Sequence, residues 1–393
     1  MKQGWENKNL GDVVEVLDNL RKPITKRDRI EGEYPYYGAT GILSYVHNYI
    51  FSEKLVLIGE DGAKWLSGDN TSFIAEGKYW VNNHAHVIRP IRKIILDEWI
   101  VYFLNFSDLT PFITGMTVPK LNQEKMRSIP IPLPPLPEQQ RIVAILDEAF
   151  AAIAKARENA EQNLKNAKEL FESYLQGVFE KKGEGWEVKT IQEITKVING
   201  YAFSSNDFQS TNSIKSVKIT NVGVKEFVEE SENYLPEKFR ETLKEFQVRE
   251  GDIVIALTRT IISAGLKVAV IPKSYDGAFI NQRVAAMTPK EKLVNQEFLY
   301  FFLCSKAVEK YVLEHVNTLM QPNLSINDLK KMPVYLPSLE DQQTIVRQLD
   351  ALRAETQKLE AVYQQKLADL EELKKSILQK AFAGELTDKS IAS

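Results

Sequence analysis

The residues that could carry out chemistry in this chain are four histidines and one cysteine, and their spacing matches no standard catalytic site. His84 and His86 would share one face of a strand, but no cysteine or acidic cluster beside them in the sequence completes a metal site. We therefore expect no bound metal, and expect both histidines to form hydrogen bonds in or beside a binding surface. Cys304 is expected to be a buried apolar residue, and a lone cysteine excludes a disulfide within the chain.

Motifs that bind cofactors are also missing from the sequence. It contains neither the phosphate loop G-x-x-x-x-G-K-[ST] nor the dinucleotide turn G-x-G-x-x-G. The Asn-Pro-Pro-aromatic and Asp-Pro-Pro-aromatic sequences of amino-methyltransferases do not occur, and no Ser/His/Asp grouping can be singled out. The sequence therefore argues against catalysis, and the prediction is a non-enzymatic binding protein.

Several short segments combine aromatic, amide and basic side chains, which suits nucleic-acid binding. Residues 36–41 bring together tyrosines, a hydroxyl group and glycines, and residues 61–64 form a predicted loop tip after a strand. Asn and Gln can bond adenine bidentately in a major groove, and Arg can do the same with guanine. Roles in turns or in the core are equally compatible with each residue. The candidate DNA contacts are Tyr36, Tyr37, Thr40, Lys64, Asn82, Asn83, His84, Tyr201, Thr258, Arg259, Gln282 and Arg283.

The charge distribution supports this interpretation only weakly. The net charge is −3, with 50 Lys+Arg against 53 Asp+Glu. Residues 1–137 hold 16 basic and 16 acidic side chains, and residues 181–338 hold 21 and 19, so the remaining segments carry the acidic excess. No apolar run approaches eighteen residues and the first residues lack an apolar signal region, so a soluble, cytoplasmic protein is expected.

The elements that must position these residues are duplicated. The segment from Ile129 to Phe179 returns 203 places later, from Met332 to Phe382, and the two copies align without a gap over about fifty residues. Each copy is a proline-rich strap followed by roughly forty residues of helix-forming sequence without a proline. The predicted domains are globular segments 1–137 and 181–338, a central helix 138–180, and a C-terminal helix and tail 339–393.

The globular segments are predicted to be mixed and mostly β, because they contain short, β-branched runs bounded by Gly, Asp or Pro. They are also related by the repeat. Aligning the strand that starts at Glu53 with the one that starts at Gly251 pairs Asp61 with Arg259, and the following strand pairs His84 with Arg283. Equivalent positions with unlike polar side chains are typical of two domains that recognise different things.

The two helices carry a heptad pattern with small or polar interruptions. With Leu146 at position a, the a and d positions run to Tyr174, and the second helix shares the register because 203 is 29 times 7. Small residues on the first helix complement larger ones on the second, which favours pairing with each other. Pro137 lies in the first turn of its helix, and Ser338 with Asp341 resembles a capping box. Such a pair would hold two globular domains at a fixed separation.

The chain resembles the specificity (S) subunit of type I restriction–modification systems. The resemblance is carried by LPPLPEQQRIVAILD and LPSLEDQQTIVRQLD, by FESYLQGVF and KSILQKAF at the helix ends, and by GEYPYYGATG, WVNNHAHVIRP, INGYAFSSNDF and EGDIVIA. It implies an α+β fold in which two mostly-β target recognition domains are separated by an antiparallel intramolecular coiled coil, with pseudo-two-fold duplication. Each domain would read one half of a bipartite DNA sequence, and the helices would set the gap between the halves.

The resemblance also implies partners and cofactors. Two methylation subunits would bind S-adenosylmethionine and methylate adenine, and restriction subunits would use ATP and Mg²⁺, while this chain itself would bind no cofactor. The helices and straps would be the docking surface, although Pro137-Glu138 becomes Glu340-Asp341 in the second copy. The predicted docking residues are Pro134, Leu136, Gln139, Gln140, Ile142, Pro337, Leu339, Gln342, Gln343 and Ile345.

Two other functions remain compatible with the residues alone. A coiled-coil scaffold with two protein- or glycan-binding domains would have no role on DNA. A self-contained methyltransferase would need a cofactor site that the sequence lacks. Retention of DNA by the chain together with its partners discriminates the first alternative, and S-adenosylmethionine bound to the isolated chain would support the second.

Overall fold

A computed structural model describes residues 4–181, 183, 185–209, 214–230, 234–316 and 322–387. The chain divides into two compact units. Unit 1 comprises residues 1–162 and 363–393, and unit 2 comprises residues 163–362. Each unit therefore contains one globular domain, called head 1 or head 2, together with one part of each long helix.

Head 1 is built around two small sheets. A four-stranded antiparallel sheet has the order β2-β8-β5-β6, a three-stranded sheet has the order β4-β3-β7, and β1 pairs with β9. Its strands are β1 Glu6–Asn9, β2 Val14–Val16, β3 Tyr34–Gly38, β4 Gly41–Val46, β5 Leu55–Gly59, β6 Ser72–Ala75, β7 Trp80–Val81, β8 Ala85–Pro90 and β9 Pro130–Leu133. Its short helices are α1 Leu10–Val13, α2 Asp97–Phe106 and α3 Gln123–Arg127, and α4 Leu136–Lys181 follows.

Head 2 repeats this plan with an added hairpin, β15-β16. The sheet orders are β11-β19-β14-β17 and β13-β12-β18, and β10 pairs with β20. Its strands are β10 Glu187–Thr190, β11 Thr195–Asn199, β12 Ile214–Val217, β13 Tyr234–Leu235, β14 Ile253–Ala256, β15 Ile261–Ile262, β16 Gly265–Leu266, β17 Val268–Val270, β18 Phe279–Ile280, β19 Val284–Pro289 and β20 Pro333–Leu336. Its helices are α5 Ile191–Ile194, α6 Phe239–Thr242, α7 Gln296–Leu303, α8 Lys306–His315 and α9 Ile326–Lys331, followed by α10 Leu339–Ala383.

The structure corrects the predicted alignment of the two heads by one residue at their central strands. In head 1, Val56 of β5 pairs with Ile88 of β8, and in head 2 Ile253 of β14 pairs with Met287 of β19. The sequence aligns β8 with β19 at an offset of 199, the offset that pairs His84 with Arg283. With that offset, the strand pairings align β5 with β14 at an offset of 197, whereas the sequence alignment gave 198. A one-residue slip moves every side chain of a strand to the other face. The structural equivalent of Asp61 is therefore Thr258 rather than Arg259.

In each unit, a short helix rich in aromatic residues packs between the four-stranded sheet and a long helix. In unit 1, Phe382 of α10 lies with ring centroids 5.0 Å from Trp99 and 5.3 Å from Phe106, both on α2. In unit 2, Phe179 of α4 lies 5.4 Å from Phe298 on α7. Aromatic pairs at such distances stabilise a core beyond the area they bury. The equivalence of Phe179 and Phe382 predicted from the repeat is confirmed.

Within each unit the long helices pair antiparallel. In unit 1, Glu138 at the start of α4 accepts a hydrogen bond of 2.8 Å from Thr387, which follows α10. Nineteen residues further along α4, Arg157 forms an ion pair with Glu371, which precedes Thr387. In unit 2, Tyr174 donates to Gln348 at 3.0 Å. The residue numbers of the partners in and after α10 fall as the residue numbers along α4 rise, so the two helices run antiparallel.

The starts of the long helices follow the sequence signals closely. Pro137 is the second residue of α4, where its missing N–H leaves no helical bond unmade. The Ser338 hydroxyl accepts from the Asp341 N–H at 3.2 Å and donates to the Asp341 carboxylate at 2.7 Å, so the predicted cap of α10 is confirmed. The predicted heptad pattern does not hold throughout, because Leu170 and Leu373 are 49% and 47% exposed. An undistorted helix drifts by about 20° per heptad, which carries such positions out of a contact stripe.

None of the helices in the described ranges is both long and apolar enough to cross a membrane.

Candidate nucleic-acid interface

Three loops of head 1 meet at one edge of its sheets. The turn between β3 and β4 approaches the end of β5 so closely that a Cβ on Gly59 would lie 2.9 Å from the Ala39 carbonyl. The loop before β8 joins the same group, because the Asn82 N–H donates to the Tyr37 carbonyl at 3.0 Å. The Glu60 N–H then donates to the His84 carbonyl at 2.9 Å. These contacts bring predicted DNA-binding segments that are distant in sequence into one surface.

The loop before β8 is shaped by a buried amide. Asn82 is 3% exposed, and its Oδ1 accepts a 2.8 Å hydrogen bond from the His84 N–H. Head 2 repeats the arrangement, because Asn281 Oδ1 accepts from the Arg283 N–H at 3.4 Å. An Asn side chain that bonds to the backbone two residues ahead forms a compact turn. The turn exposes the next two side chains, which are Asn83 and His84 in one head and Gln282 and Arg283 in the other.

His84 forms a short hydrogen bond with an acidic residue at the tip of this surface. Its Nδ1 lies 2.5 Å from Oδ1 of Asp61, the residue that follows Glu60 in the loop after β5. The His84 side chain is 51% exposed and the Asp61 side chain is 22% exposed. A carboxylate only accepts hydrogen bonds, so Nδ1 carries a proton and Nε2 remains available on an exposed ring.

A buried ion network lies directly beneath this pair. Arg21 forms an ion pair with Glu60, and its guanidinium also donates to the Ala85 carbonyl at 2.8 Å. Lys120 contacts the other Glu60 oxygen at 2.6 Å. His86 is fully buried, with Nδ1 2.6 Å from an Asp18 oxygen. Because its residues come from four separate segments, the network ties together the loops that carry Asp61 and His84.

The carboxylates of this network are held in their charged form. Burial alone would raise the pKa of Asp18, but hydrogen bonds from His86, Gln123 and the Val87 N–H outweigh it and lower that pKa. Burial likewise acts to raise the pKa of Glu60, and bonds from Lys120 and Arg21 lower it overall. These opposing effects show that the partners compensate the cost of burying the charges.

Asp18, Glu60 and His86 place candidate metal-ligand atoms within 4.8 Å of one another. The tertiary structure thus brings an acidic cluster to His86, whereas the sequence predicted none beside it. Two cations already contact Glu60, and His86 Nε2 lies 2.7 Å from the Leu121 carbonyl, an acceptor. Ligands that face cations and acceptors in this way fit a charge network and do not fit an open metal site.

In head 2, the equivalent loops are supported by apolar residues. The Leu257 N–H donates to the Arg283 carbonyl at 2.8 Å, as the Glu60 N–H does to His84 in head 1. The equivalent of Glu60 is therefore Leu257, and the equivalent of His86 is Ala285. Leu257 is 8% exposed and Ala285 is fully buried. The two heads thus present similar loops above chemically different supports.

The loop of head 2 that follows β14 carries Thr258 and Arg259. Thr258 is half-buried and forms a β-bridge with Asn323. Arg259 is exposed and has a φ of 50°, a left-handed conformation that non-glycine residues rarely adopt. Its structural equivalent in head 1 is Gly62, with a φ of 68°. Tyr201 joins the same edge, since its carbonyl accepts from the Gln282 N–H at 2.9 Å.

The predicted DNA contacts divide by exposure. Tyr37 and Thr258 are half-buried, and eight others are exposed: Thr40, Lys64, Asn83, His84, Tyr201, Arg259, Gln282 and Arg283. Direct contact does not fit the remaining two, which the structure corrects to supporting roles. Tyr36 is 1% exposed, and its hydroxyl accepts from the Ile24 N–H at 2.9 Å. Asn82 is committed to the turn described above.

Half of the predicted docking residues are corrected in the same way. Gln139 is fully buried, and its side chain bonds the backbone of Ile94, Leu96 and Pro134 at 2.8, 3.0 and 2.8 Å. Gln342 makes the equivalent bonds in unit 2. These glutamines fix the junction between strap and helix. Pro134, Ile142 and Pro337 are also buried, Leu136 and Ile345 are half-buried, and Gln140, Leu339 and Gln343 are exposed.

Sequence reasoning missed the ion network. Asp18, Glu60 and His86 are separated by 42 and 26 residues, and no motif connects them. The available signal was local: Asp18 and His86 are polar residues beside or within apolar, strand-forming runs. A polar residue at such a position needs a partner, but the sequence does not say which one.

Known proteins are similar to this chain over most of its length. A family model described as "Type I restriction modification DNA specificity domain" matches residues 2–163 and 183–369. A type I restriction enzyme specificity subunit (MjaVIII) of Methanocaldococcus jannaschii is 26% identical over 99% of this chain and 94% of its own length. A putative type I restriction enzyme specificity subunit of Haemophilus influenzae is 29% identical over 88% of this chain and 86% of its own length.

Solved structures share the fold. The HsdS subunit from Thermoanaerobacter tengcongensis is 20% identical, with a TM-score of 0.64 and 98% of each chain covered. A structure concerned with complex assembly and conformational transition of a type I R-M system contains a chain with a TM-score of 0.72, 20% identity, and coverage of 98% and 99%. Since the family model matches both heads and most of both long helices, the chain belongs to the type I restriction–modification DNA specificity family, whose function is DNA sequence recognition.

Proposed function

We propose that this chain is the sequence-reading subunit of a type I restriction–modification complex and that each head reads one half of a bipartite target. The observation that carries the proposal is the pair of equivalent loops with unlike exposed side chains. Asn83 and His84 of head 1 occupy the positions of Gln282 and Arg283 in head 2. Different donors and acceptors at equivalent positions suit an asymmetric target.

The proposal gives the remaining chemistry to partner subunits. Two methylation subunits would bind S-adenosylmethionine and methylate adenine, and restriction subunits would use ATP and Mg²⁺. Docking would use the exposed residues at the helix starts, namely Gln140, Leu339 and Gln343. Partner subunits would also supply part of the phosphate contacts that usually dominate affinity for DNA, which suits the weak charge of the heads.

Exchange of one head tests the division of labour. Residues 1–137 are replaced by the corresponding segment of a related subunit, and N6-methyladenine is mapped across the host genome with and without the gene. One half of the methylated sequence should change while the other half and the gap are kept. The matched control replaces residues 181–338 and should change the other half. A change in both halves, or in neither, would contradict the modular assignment.

A further inference from the structure

The contact between Asp61 and His84 calls for an explanation, because a carboxylate at a DNA-facing edge repels phosphates. Asp61 leaves 22% of its side chain exposed and lies 2.5 Å from Nδ1 of His84. The pair is at the tip of the surface where three loops of head 1 meet. An acidic residue at such a position is useful when it orients a side chain that contacts a base.

The support under the pair restricts its position. The Glu60 N–H bonds to the His84 carbonyl at 2.9 Å, while Arg21 and Lys120 hold the Glu60 carboxylate. The Asn82 side chain fixes the backbone of His84 from the other side at 2.8 Å. Side chains mounted on backbone that is bonded in this way lose little freedom on binding, which favours selective contacts.

The equivalent position in head 2 indicates which chemistry His84 provides. Arg283 follows the same Asn-stabilised turn, and its guanidinium only donates hydrogen bonds. The equivalent of Asp61 is Thr258, which carries no charge. A neutral imidazole that donates from Nδ1 to a carboxylate accepts hydrogen bonds at Nε2, so His84 and Arg283 present opposite hydrogen-bonding chemistry at equivalent positions.

We propose that Asp61 and His84 act as one base-reading unit of head 1, in which Asp61 holds Nδ1–H and His84 presents Nε2 as an acceptor to an amino group in the major groove. The N6 amino group of adenine and the N4 amino group of cytosine are the donors that this geometry suits. Asp61 is a positioning residue, and His84 makes the contact. The inference rests on the proposed function, since it assigns one position of the half-site that head 1 reads.

The test uses the complex of the full chain with its methylation subunits. N6-methyladenine mapping and competition binding against substituted targets are compared for His84→Ala, Asp61→Ala, the double variant and His84→Arg. His84→Ala should lose discrimination at one base pair of the head 1 half-site by roughly tenfold, as expected for the loss of one hydrogen bond to a base edge. Asp61→Ala should give a similar loss at the same base pair, and the double variant should lose no more than either single variant.

His84→Arg separates donation from acceptance. It places a permanent donor where His84 presents an acceptor, so the preference should switch to a base pair that presents an acceptor there, such as guanine N7 or O6. Retention of the original base pair by His84→Arg would overturn the proposal, as would unchanged discrimination in His84→Ala or additive losses in the double variant. The matched control is Asp108→Ala, which removes another exposed carboxylate of head 1, bonded to Thr110 at 2.6 Å, and should leave discrimination unchanged.

Methylation at the half-site read by head 2 shows whether a negative result contradicts only the base-reading assignment or the proposed function as well. If the bipartite methylation depends on this gene but the head 1 half is indifferent to these variants, only the base-reading assignment fails. If no methylation depends on the gene, the proposed function itself fails.

Discussion

Head 1 and head 2 solve the same structural problem with opposite chemistry. Each must hold an Asn-stabilised turn against the loop that follows a central strand. Head 1 does so above a buried network of charges centred on Glu60, and head 2 does so above Leu257 and Ala285. The sheet orders are equivalent in the two heads, so at these loops the difference concerns the support.

The comparison teaches that the fold does not require the network. A buried ion cluster is often no more stabilising than apolar residues of similar volume, because desolvation offsets the attraction between charges. The hydrogen bonds between the charged groups instead fix the orientation of the side chains that they join. We therefore connect the network with the placement of Asp61 and His84 and not with the stability of head 1.

Removal of one charged residue from the network should produce the largest effect on the free energy of unfolding. Glu60→Leu introduces the residue type of head 2 but removes the carboxylate that faces Lys120 and leaves Arg21 with Asp18 as its acidic partner. We expect head 1 to lose about 3–5 kcal/mol in free energy of unfolding, the usual cost of removing one member of a buried charge cluster. Unfolding in urea can be followed by tryptophan fluorescence in a Trp186→Phe background, since the other four of the five tryptophans lie in head 1.

The matched control for that experiment is Leu257→Met in head 2, followed in a chain whose remaining tryptophan is Trp186. It changes the equivalent residue without adding or removing a charge, and a volume-conserving apolar change usually costs less than about 1.5 kcal/mol. A loss in Glu60→Leu as small as in this control would show that the charges of head 1 are not energetically coupled.

Acid should destabilise head 1 before head 2. Asp18 and Glu60 have pKa values lowered from their ordinary 3.8 and 4.5. Their contribution is fully present above those values and is lost as the pH falls through the lower pKa values of the folded state. Urea midpoints of the Trp186→Phe chain should therefore fall more steeply below about pH 4.5 than those of a chain whose remaining tryptophan is Trp186. Parallel curves for the two reporters would contradict the assignment.

Removal of the arginine that corresponds to His84 should affect only recognition. Arg283 is exposed, so Arg283→Ala should leave the unfolding free energy of head 2 nearly unchanged. It should cost about 1–3 kcal/mol of discrimination at one base pair of the second half-site if the contact to guanine is bidentate. Methylation mapping provides the measurement, with Gln282→Ala as the neighbouring comparison. An unchanged motif would remove Arg283 from the interface.

The smallest expected effect concerns the backbone of the loop after the central strand. Gly62 has a φ of 68°, and no atom lies within 4 Å of the position a Cβ would take, so Gly62→Ala tests backbone strain alone. We expect a loss of about 1–2 kcal/mol in the unfolding free energy of head 1. Gly62→Asn should cost less, because Asn tolerates the left-handed region. Equal costs for the two variants would point to a different cause.

Much of the architecture could be predicted because it depends on periodic or repeated signals. The duplication placed both long helices and aligned Phe179 with Phe382, and the Ser338-x-x-Asp341 pattern predicted the cap of α10. The alignment of β5 with β14 could not be fixed in this way. Both strands are nearly continuous apolar runs, so a shift by one residue matches almost as many residues as the true register.

The amino-acid sequence by itself determined the two-headed plan and, through the family resemblance, the antiparallel long helices, and it predicted loops for contacts to DNA. Only the tertiary structure decided which of those residues are exposed and which support them. Tyr36, Asn82, Gln139 and Gln342 are polar residues in suitable segments, yet all are buried and bonded to the backbone. The physical reason is that burial and hydrogen-bond partners depend on contacts between distant segments, as in the cluster of Asp18, Glu60 and His86, which no local pattern records.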